Sequence, residues 1–120
     1  MEWKLDRSRP ICPQICESIN VWIASGELKP GERLESVREV ALAAGVNPNT
    51  VQKSFEELER SGAVYSVRGS GWFVSEDISF ETEKVKEMTY ERVGAFFEDM
   101  KRLGIDAETV KKFVEEWRHE

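Results

Sequence analysis

The chain has 120 residues, of which 33% are charged and 40% hydrophobic, and its formal net charge is -6. That length fits one domain with at most a small appendage, and the balance of residue types is that of a soluble globular chain. No apolar run reaches the length of a membrane span and the N-terminus lacks a secretory pattern, so no membrane partner and a cytoplasmic location are expected. The charge is uneven. Residues 1–75 carry 9 Lys+Arg against 10 Asp+Glu, whereas residues 76–120 carry 8 against 13. A near-neutral N-terminal part can still present a basic face, although the global charge weakens non-specific attraction to phosphates.

Met1 to Arg9 (MEWKLDRSR) reads as a short arm in which Trp3 and Leu5 alternate with charges, an extended segment packed on the body. Pro10 and Pro13 suit the first turn of a helix running to about Ser25. Ile11, Ile15, Ile19, Trp22 and Ile23 form its apolar stripe, and Gly26 ends it. Cys12 and Cys16 lie four apart on this helix. A metal half-site and a redox pair are the functional readings; two small buried apolar residues are the plainer and favoured one. The single His is His119 at the tail, so a metal site would need ligands from another subunit. No metal and no other cofactor is expected. GELKPGERL then holds a Pro-Gly turn at Pro30 and Gly31, with room for one very short strand from Glu32 to Leu34.

The stretch from Ser36 to Arg60, SVREVALAAGVNPNTVQKSFEELER, organises the chain. Ser36 and Glu39 form an S-x-x-E capping box. Val37, Val40, Ala41 and Ala44 follow on one face, and Gly45 stands where a left-handed residue commonly ends a helix. Val46 plugs the corner, Asn47 is a natural N-cap, and Pro48 occupies the first helical position, where a missing amide costs nothing. Val51, Phe55 and Leu58 must then face inward, which leaves Asn49, Gln52, Lys53 and Glu56 outward. The exposed first turns thus carry amides and one cation, with no acid before Glu56. That is the chemistry a helix-turn-helix offers to base edges.

AVYSVRGSGWFV is the next strong signal. Val64, Tyr65 and Val67 precede a turn, and Trp72, Phe73 and Val74 follow it. Arg68, Gly69, Ser70 and Gly71 lie between, a β-hairpin tip with glycines where positive φ is needed. A tip with a cation and little bulk can approach a phosphate backbone or enter a minor groove. Directly after a helix-turn-helix, it reads as a wing.

At this point the run GELKPGERLESVREVALAAGVNPNTVQKSFEELERSGAVYSVRGSGWFV resembles the N-terminal DNA-binding domain of GntR-family transcriptional regulators, over roughly residues 10–75. The shared features are the Pro-Gly turn, the L-x-S-x-R segment at Leu34, Ser36 and Arg38, the Gly-Val corner, N-T-V in the second helix, E-L-E-x-x-G and G-x-G-x-F-V. The family usually has Pro where Glu35 stands, and much of it has a base-reading Arg at the Pro48 position. The absence of that Arg resembles the subfamily with short C-terminal regions, called YtrA-like, and leaves Asn49 and Gln52 as the readers.

The resemblance implies a mainly α (α+β) protein. A winged helix-turn-helix DNA-binding domain with a short arm would occupy residues 1–75, and a two-helix hairpin for dimerisation residues 76–120. Resemblance and chemistry together give the residue roles. Arg38 is expected at a phosphate or base. Ser36 is a cap first and a phosphate contact second. Asn49 and Gln52 carry amides able to bond an adenine edge. Thr50 either bonds a phosphate or supports the first turn. Lys53 is expected at the backbone, since an ammonium binds phosphate oxygens without sequence preference. Arg68, Gly69 and Gly71 form the wing tip, and Tyr65 is read as packing.

After Val74, SEDISFE is a polar hinge. A helix is expected from about Glu81 to Leu103, with Val85, Val93, Phe96, Phe97, Met100 and Leu103 on one side. Gly104 breaks it, Asp106 caps a second helix, and Val110, Phe113, Val114 and Trp117 recur there at helical spacing. Two such helices cannot bury both apolar faces alone, so they pack on a second copy or fold back on the same chain. The dimer is favoured, as in short regulators of the family, with Val93, Phe96, Phe97, Met100, Val110, Phe113 and Trp117 at the contact. Only about 45 residues follow the wing, where larger relatives carry a metabolite-binding domain, so a small-molecule effector is doubtful. If one binds, Phe96, Phe97, Phe113 and Trp117 would line its site.

No enzyme signature is present: there is no phosphate-binding glycine loop after a strand, and no Ser/His/Asp set. Two functions stay in view. One is a sequence-specific DNA-binding regulator, a homodimeric repressor on a palindromic operator of double-stranded DNA. The other is a winged helix used as a protein-interaction module through the acidic C-terminal helices.

Overall fold

The structure is a computed structural model and describes residues 1–117; His119 lies outside the described residues. Helix α1 spans Ile11–Ser25, with Pro10 as its N-cap and Gly26 as its left-handed stop at φ 84. Its spacing of apolar residues buries Ile15, Ile19 and Ile23 on one face. Helix α2, Val37–Ala44, starts with the reciprocal Ser36–Glu39 capping box and ends at Gly45 with φ 67. Helix α3, Pro48–Arg60, buries Val51, Ser54, Phe55 and Leu58. These apolar faces meet in one core, to which Leu28, Leu34, Val40, Ala63, Val64 and Val74 also contribute. Phe55 is wholly buried, and Trp72 meets it edge-on at 5.5 Å.

Strands β1 (Val64–Val67) and β2 (Gly71–Val74) pair antiparallel, with Val64 opposite Val74 and Val67 opposite Gly71. The short strand expected over Glu32 to Leu34 is reduced to a single antiparallel bridge between Arg33 and Phe73. Its backbone still follows β2: Val74 N–H donates to Glu32 O and Leu34 N–H to Trp72 O, each at 2.8 Å. The turn at Gly31 precedes it and the α2 cap follows it, so the chain has no room for a longer ladder.

The first compact unit runs from Met1 to Val85, ten residues beyond the change of composition at residue 75. Two residues explain the extension. Ile78 packs on the core, and Glu81 is 2% exposed. Helix α4, Ser79–Arg102, therefore starts slightly before the expected Glu81; Asp77 Oδ1 accepts from Ser79 N–H at 3.0 Å just ahead of it. The second unit begins at Lys86. It contains the rest of α4 and helix α5, Ala107–Glu116, whose N-cap Asp106 accepts from Thr109 N–H at 2.8 Å. Among the described residues no helix is long and apolar enough to cross a membrane.

Because Phe55 fills the centre of the first unit, Phe55→Ala is expected to destabilise it by about 3–5 kcal/mol. Urea unfolding followed by tryptophan fluorescence measures this; a loss below about 1 kcal/mol would show that the core closes without that ring.

Candidate nucleic-acid interface

The exposed face of α3 follows from what the helix buries. With Val51, Phe55 and Leu58 inside, Asn49, Gln52, Lys53 and Glu56 are all exposed. Asn47 Oδ1 accepts from Asn49 N–H at 2.8 Å, which caps the helix and leaves the Asn49 side chain at its mouth. The first turn contains no acid. A helix start of this kind, with its positive dipole end, favours an anionic neighbour. Thr50 is half-buried, and its carbonyl accepts from Ser54 Oγ at 2.8 Å.

Arg38 is exposed on the first turn of α2. Ser36 is occupied as the cap: Glu39 N–H donates to Ser36 Oγ at 3.1 Å, and Ser36 N–H donates to Glu39 Oε1 at 3.0 Å. These bonds, the backbone one first, hold the Glu39 carboxyl below its usual range. The cap is therefore in force above the ordinary glutamate range and is lost as pH falls through the lowered value.

At the hairpin tip, Gly69 and Gly71 adopt φ 80 and 115, which only glycine enters without strain. Arg68 is exposed between strand and turn. Tyr65 stacks on its cross-strand partner Phe73 at 5.7 Å, a packing contact.

Two arginines that carried no motif complete the arrangement. Arg33 Nε donates to Ser70 O at 2.8 Å, so its guanidinium lies against the wing tip. A Cβ at Gly71 would stand 3.2 Å from that nitrogen. Arg7 reaches from the N-terminal arm to the corner of the helix pair, where Nη2 donates to Ala44 O at 2.6 Å and Nη1 to Gly45 O at 3.0 Å. Glu59 Oε2 accepts from Ser66 N–H and Oγ, at 3.1 and 2.8 Å, tying β1 to the end of α3. No local pattern announces the two arginines, because their partners are distant in sequence or lie in a turn, and the E-L-E-x-x-G motif that contains Glu59 gives no sign of its bond to Ser66.

The cysteines are both free and half-buried rather than interior. Cys16 Sγ donates to Ser54 O at 3.4 Å. Burial, together with the adjacent Cys12, pushes the Cys16 thiol up to about 12, so it stays protonated and unreactive at neutral pH. Among the described residues, no group of three or more His, Cys, Asp or Glu is arranged to hold a metal ion.

Helix pair, tip glycines and caps now stand in the order of a winged helix. The family of bacterial regulatory proteins called gntR matches residues 13–74. The chain belongs to the GntR family. Relatives extend the likeness over nearly the whole chain. The uncharacterized HTH-type transcriptional regulator YhcF of Bacillus subtilis (strain 168) is 38% identical, across 96% of this chain and 98% of its own. The HTH-type transcriptional repressor YtrA of the same organism is 34% identical, across 91% of this chain and 85% of its own. A solved GntR family regulator from Listeria monocytogenes superposes with a TM-score of 0.79 and 34% identity, covering 95% of this chain and all 100% of that one. The DNA-binding domain of AraR, solved in complex with operator ORE1, matches with a TM-score of 0.54 and 30% identity over 62% of this chain and 94% of its own. The chain is thus a YtrA-like GntR regulator with a winged helix-turn-helix, and its relatives are transcriptional regulators rather than enzymes.

The tip glycines give a direct test of the wing geometry. Gly71→Ala has to displace the Arg33 guanidinium and hold a strained φ, a cost of about 1–3 kcal/mol. Gly69→Ala, with open space around it, is expected to cost only about 1 kcal/mol of backbone strain. Thermal unfolding of the two variants checks the order, and a more stable Gly71→Ala chain would refute the contact.

Proposed function

We propose that this chain is a repressor that binds a palindromic operator as a homodimer in the cytoplasm. The observation that carries the reading is the face of α3: Asn49, Gln52 and Lys53 exposed on turns free of acid, over a core that fixes their direction. In this reading Asn49 and Gln52 read base edges in the major groove and Lys53 binds phosphate. Arg38 and Thr50 add backbone contacts at the helix starts, with Ser36 chiefly a cap. Arg68, Gly69 and Gly71 follow the backbone or the minor groove, and Arg33 braces them. The repressor sense is supported by the name of YtrA of Bacillus subtilis, and DNA as partner by the AraR–operator complex.

Dimerisation is supported by the second unit. Val93, Phe96, Phe113 and Trp117 are 48, 42, 54 and 65% exposed, too much apolar surface for a hairpin left in water. Phe96, Met100, Val110, Phe113, Val114 and Trp117 line an apolar cleft of about 280 Å³. Phe97 and Met100 are half-buried, and Phe97 meets Phe96 edge-on at 5.7 Å. Val110, at 1% exposure, forms the floor of this cleft. A second copy of the hairpin is the occupant that would cover this surface, and twofold pairing sets two α3 helices on a palindrome.

The test is selection of operators from random duplexes, followed by binding over a salt series. Affinity is expected to fall steeply with salt. Gln52→Ala should lower discrimination between operator and mixed duplex, by about 1–3 kcal/mol, more than it lowers non-specific affinity. Lys53→Ala should weaken both alike. No binding at low salt would sink this reading in favour of a protein-interaction module, for which the net charge of -6 speaks. For the dimer, Phe113→Asp is expected to shift sedimentation from two copies to one; an unshifted dimer would remove the hairpin from the interface.

A further inference from the structure

We propose that Arg7 is a positioning residue for operator reading, and that the N-terminal arm is thereby part of the reading apparatus. The inference rests on the DNA-reading function proposed above. Helix α2 ends at Ala44, and its terminal carbonyls carry the negative end of the helix dipole. The three residues Gly45, Val46 and Asn47 then lead directly into α3. Gly45 N–H and Val46 N–H both return to Ala41 O, which leaves the carbonyls of Ala44 and Gly45 to another donor. Arg7 supplies it with both arms of its guanidinium, at 2.6 and 3.0 Å. Charge-assisted bonds from a planar fork fix direction as well as distance. The corner that sets where Asn49 points is therefore held from outside the helix pair.

The arm is itself held. Asp6 N–H donates to Gln14 Oε1 at 2.7 Å, and Gln14 Nε2 donates to Asp6 O and Pro10 O, each at 2.9 Å. Asp6 Oδ1 accepts from Ser8 N–H at 3.0 Å and from Ser8 Oγ at 2.6 Å, while Oδ2 accepts from Arg9 Nε at 3.0 Å. Further out, Trp3 meets Trp22 edge-on at 4.7 Å, and the N-terminal ammonium pairs with Glu27 at 3.4 Å. Gln14 lies on α1, and α1 packs on α3. The contacts thus close a loop from α3 through α1, Gln14 and Arg7 back to the corner that begins α3. Such a loop constrains the corner against two fixed points rather than one.

The experiment compares the wild-type chain with Arg7→Ala, Arg7→Lys and Gln14→Ala, on a selected operator and a mixed duplex across a salt series. Circular dichroism checks that each is folded. Arg7→Ala is expected to lose about tenfold in operator affinity, the scale of one misplaced base contact, with the mixed duplex and the salt slope unchanged. Gln14→Ala has no charge to lose, yet is expected to shift discrimination in the same direction. The two changes combined should cost less than the product of the two alone, because they cut the same loop. Arg7→Lys should restore part of the loss, and with Gln14→Ala it decides the matter if Arg7→Ala does not fold. An equal loss on both duplexes with the salt slope reduced by about one would instead make Arg7 a phosphate contact and overturn the proposal. So would full discrimination in Gln14→Ala. A wild-type chain without operator preference would defeat the parent reading. A discriminating wild type with variants that match it would defeat only this one.

Discussion

Phe55, Val51 and Leu58 are each essentially out of solvent, against Ile15, Ile19 and Ile23 of α1. Rotation of α3 about its axis would drag these side chains into water, at about 25 cal/mol for each Å² of apolar surface uncovered. The helix is thus locked in azimuth by its buried side, and the exposed side inherits that precision without any contact of its own. Asn49, Gln52 and Lys53 point outward because their neighbours cannot. Trp72 against Phe55 carries the same constraint into β2, so the hairpin is referenced to the same ring. The base reading proposed for these side chains needs such a foundation, since amides discriminate bases only when their two bonding groups are held in the plane of the base edge.

The negative charge looks unsuited to a DNA-binding chain until its local duties are considered. Glu39 closes the α2 cap, Asp6 orders the arm, Asp77 and Asp106 accept amides at helix starts, and Glu59 ties Ser66 of β1 to α3. Glu57 pairs with Arg60, and Asp99 with Arg102. Carboxylates are the strongest acceptors available for exposed N–H groups, so a small fold with many helix ends accumulates them. Their placement follows the backbone's needs. The first turn of α3, part of the proposed DNA contact, contains none and uses a neutral Asn as its cap. Net charge therefore sets the strength of long-range attraction, while the local face sets what binds.

Much of this architecture was legible in the residues. Caps, stops and stripes are local, with partners within about one helical turn, so S-x-x-E, Asn-Pro and the alternating glycines announce themselves. The helix-turn-helix and the hairpin after it could be read from those spacings, and the family from the resemblance that the motifs carry. What escaped was the set of contacts that close over distance. Arg7 and Ala44 lie 37 positions apart, as do Arg33 and Ser70, and a lone arginine in a polar segment has no periodicity to betray it. Glu81 escaped for the opposite reason: a glutamate in a polar stretch reads as exposed, yet it is 2% exposed and its Oε2 has no hydrogen-bond partner among the described residues. That burial carries the first unit through to Val85, past the end suggested by composition. Val110 was read correctly as apolar and helical, but spacing cannot separate the floor of a cleft from its rim.

The hairpin poses a different physical problem. Beyond Val85, Val110 is the one hydrophobic residue among those described that is fully buried, while Leu103, Phe113, Val114 and Trp117 are each more than half exposed. A unit this small has too high a ratio of surface to volume to bury its apolar residues by itself. Lengthening α4 cannot help, because every added turn adds as much rim as floor. A second copy offers a surface with the same pattern and the same deficit, and twofold pairing satisfies both deficits at once. In the proposed dimer, then, the residues that join the copies are also the residues that complete the hairpin's fold. Operator binding would be coupled to assembly through folding rather than through a separate docking step, so dilution would act on both together.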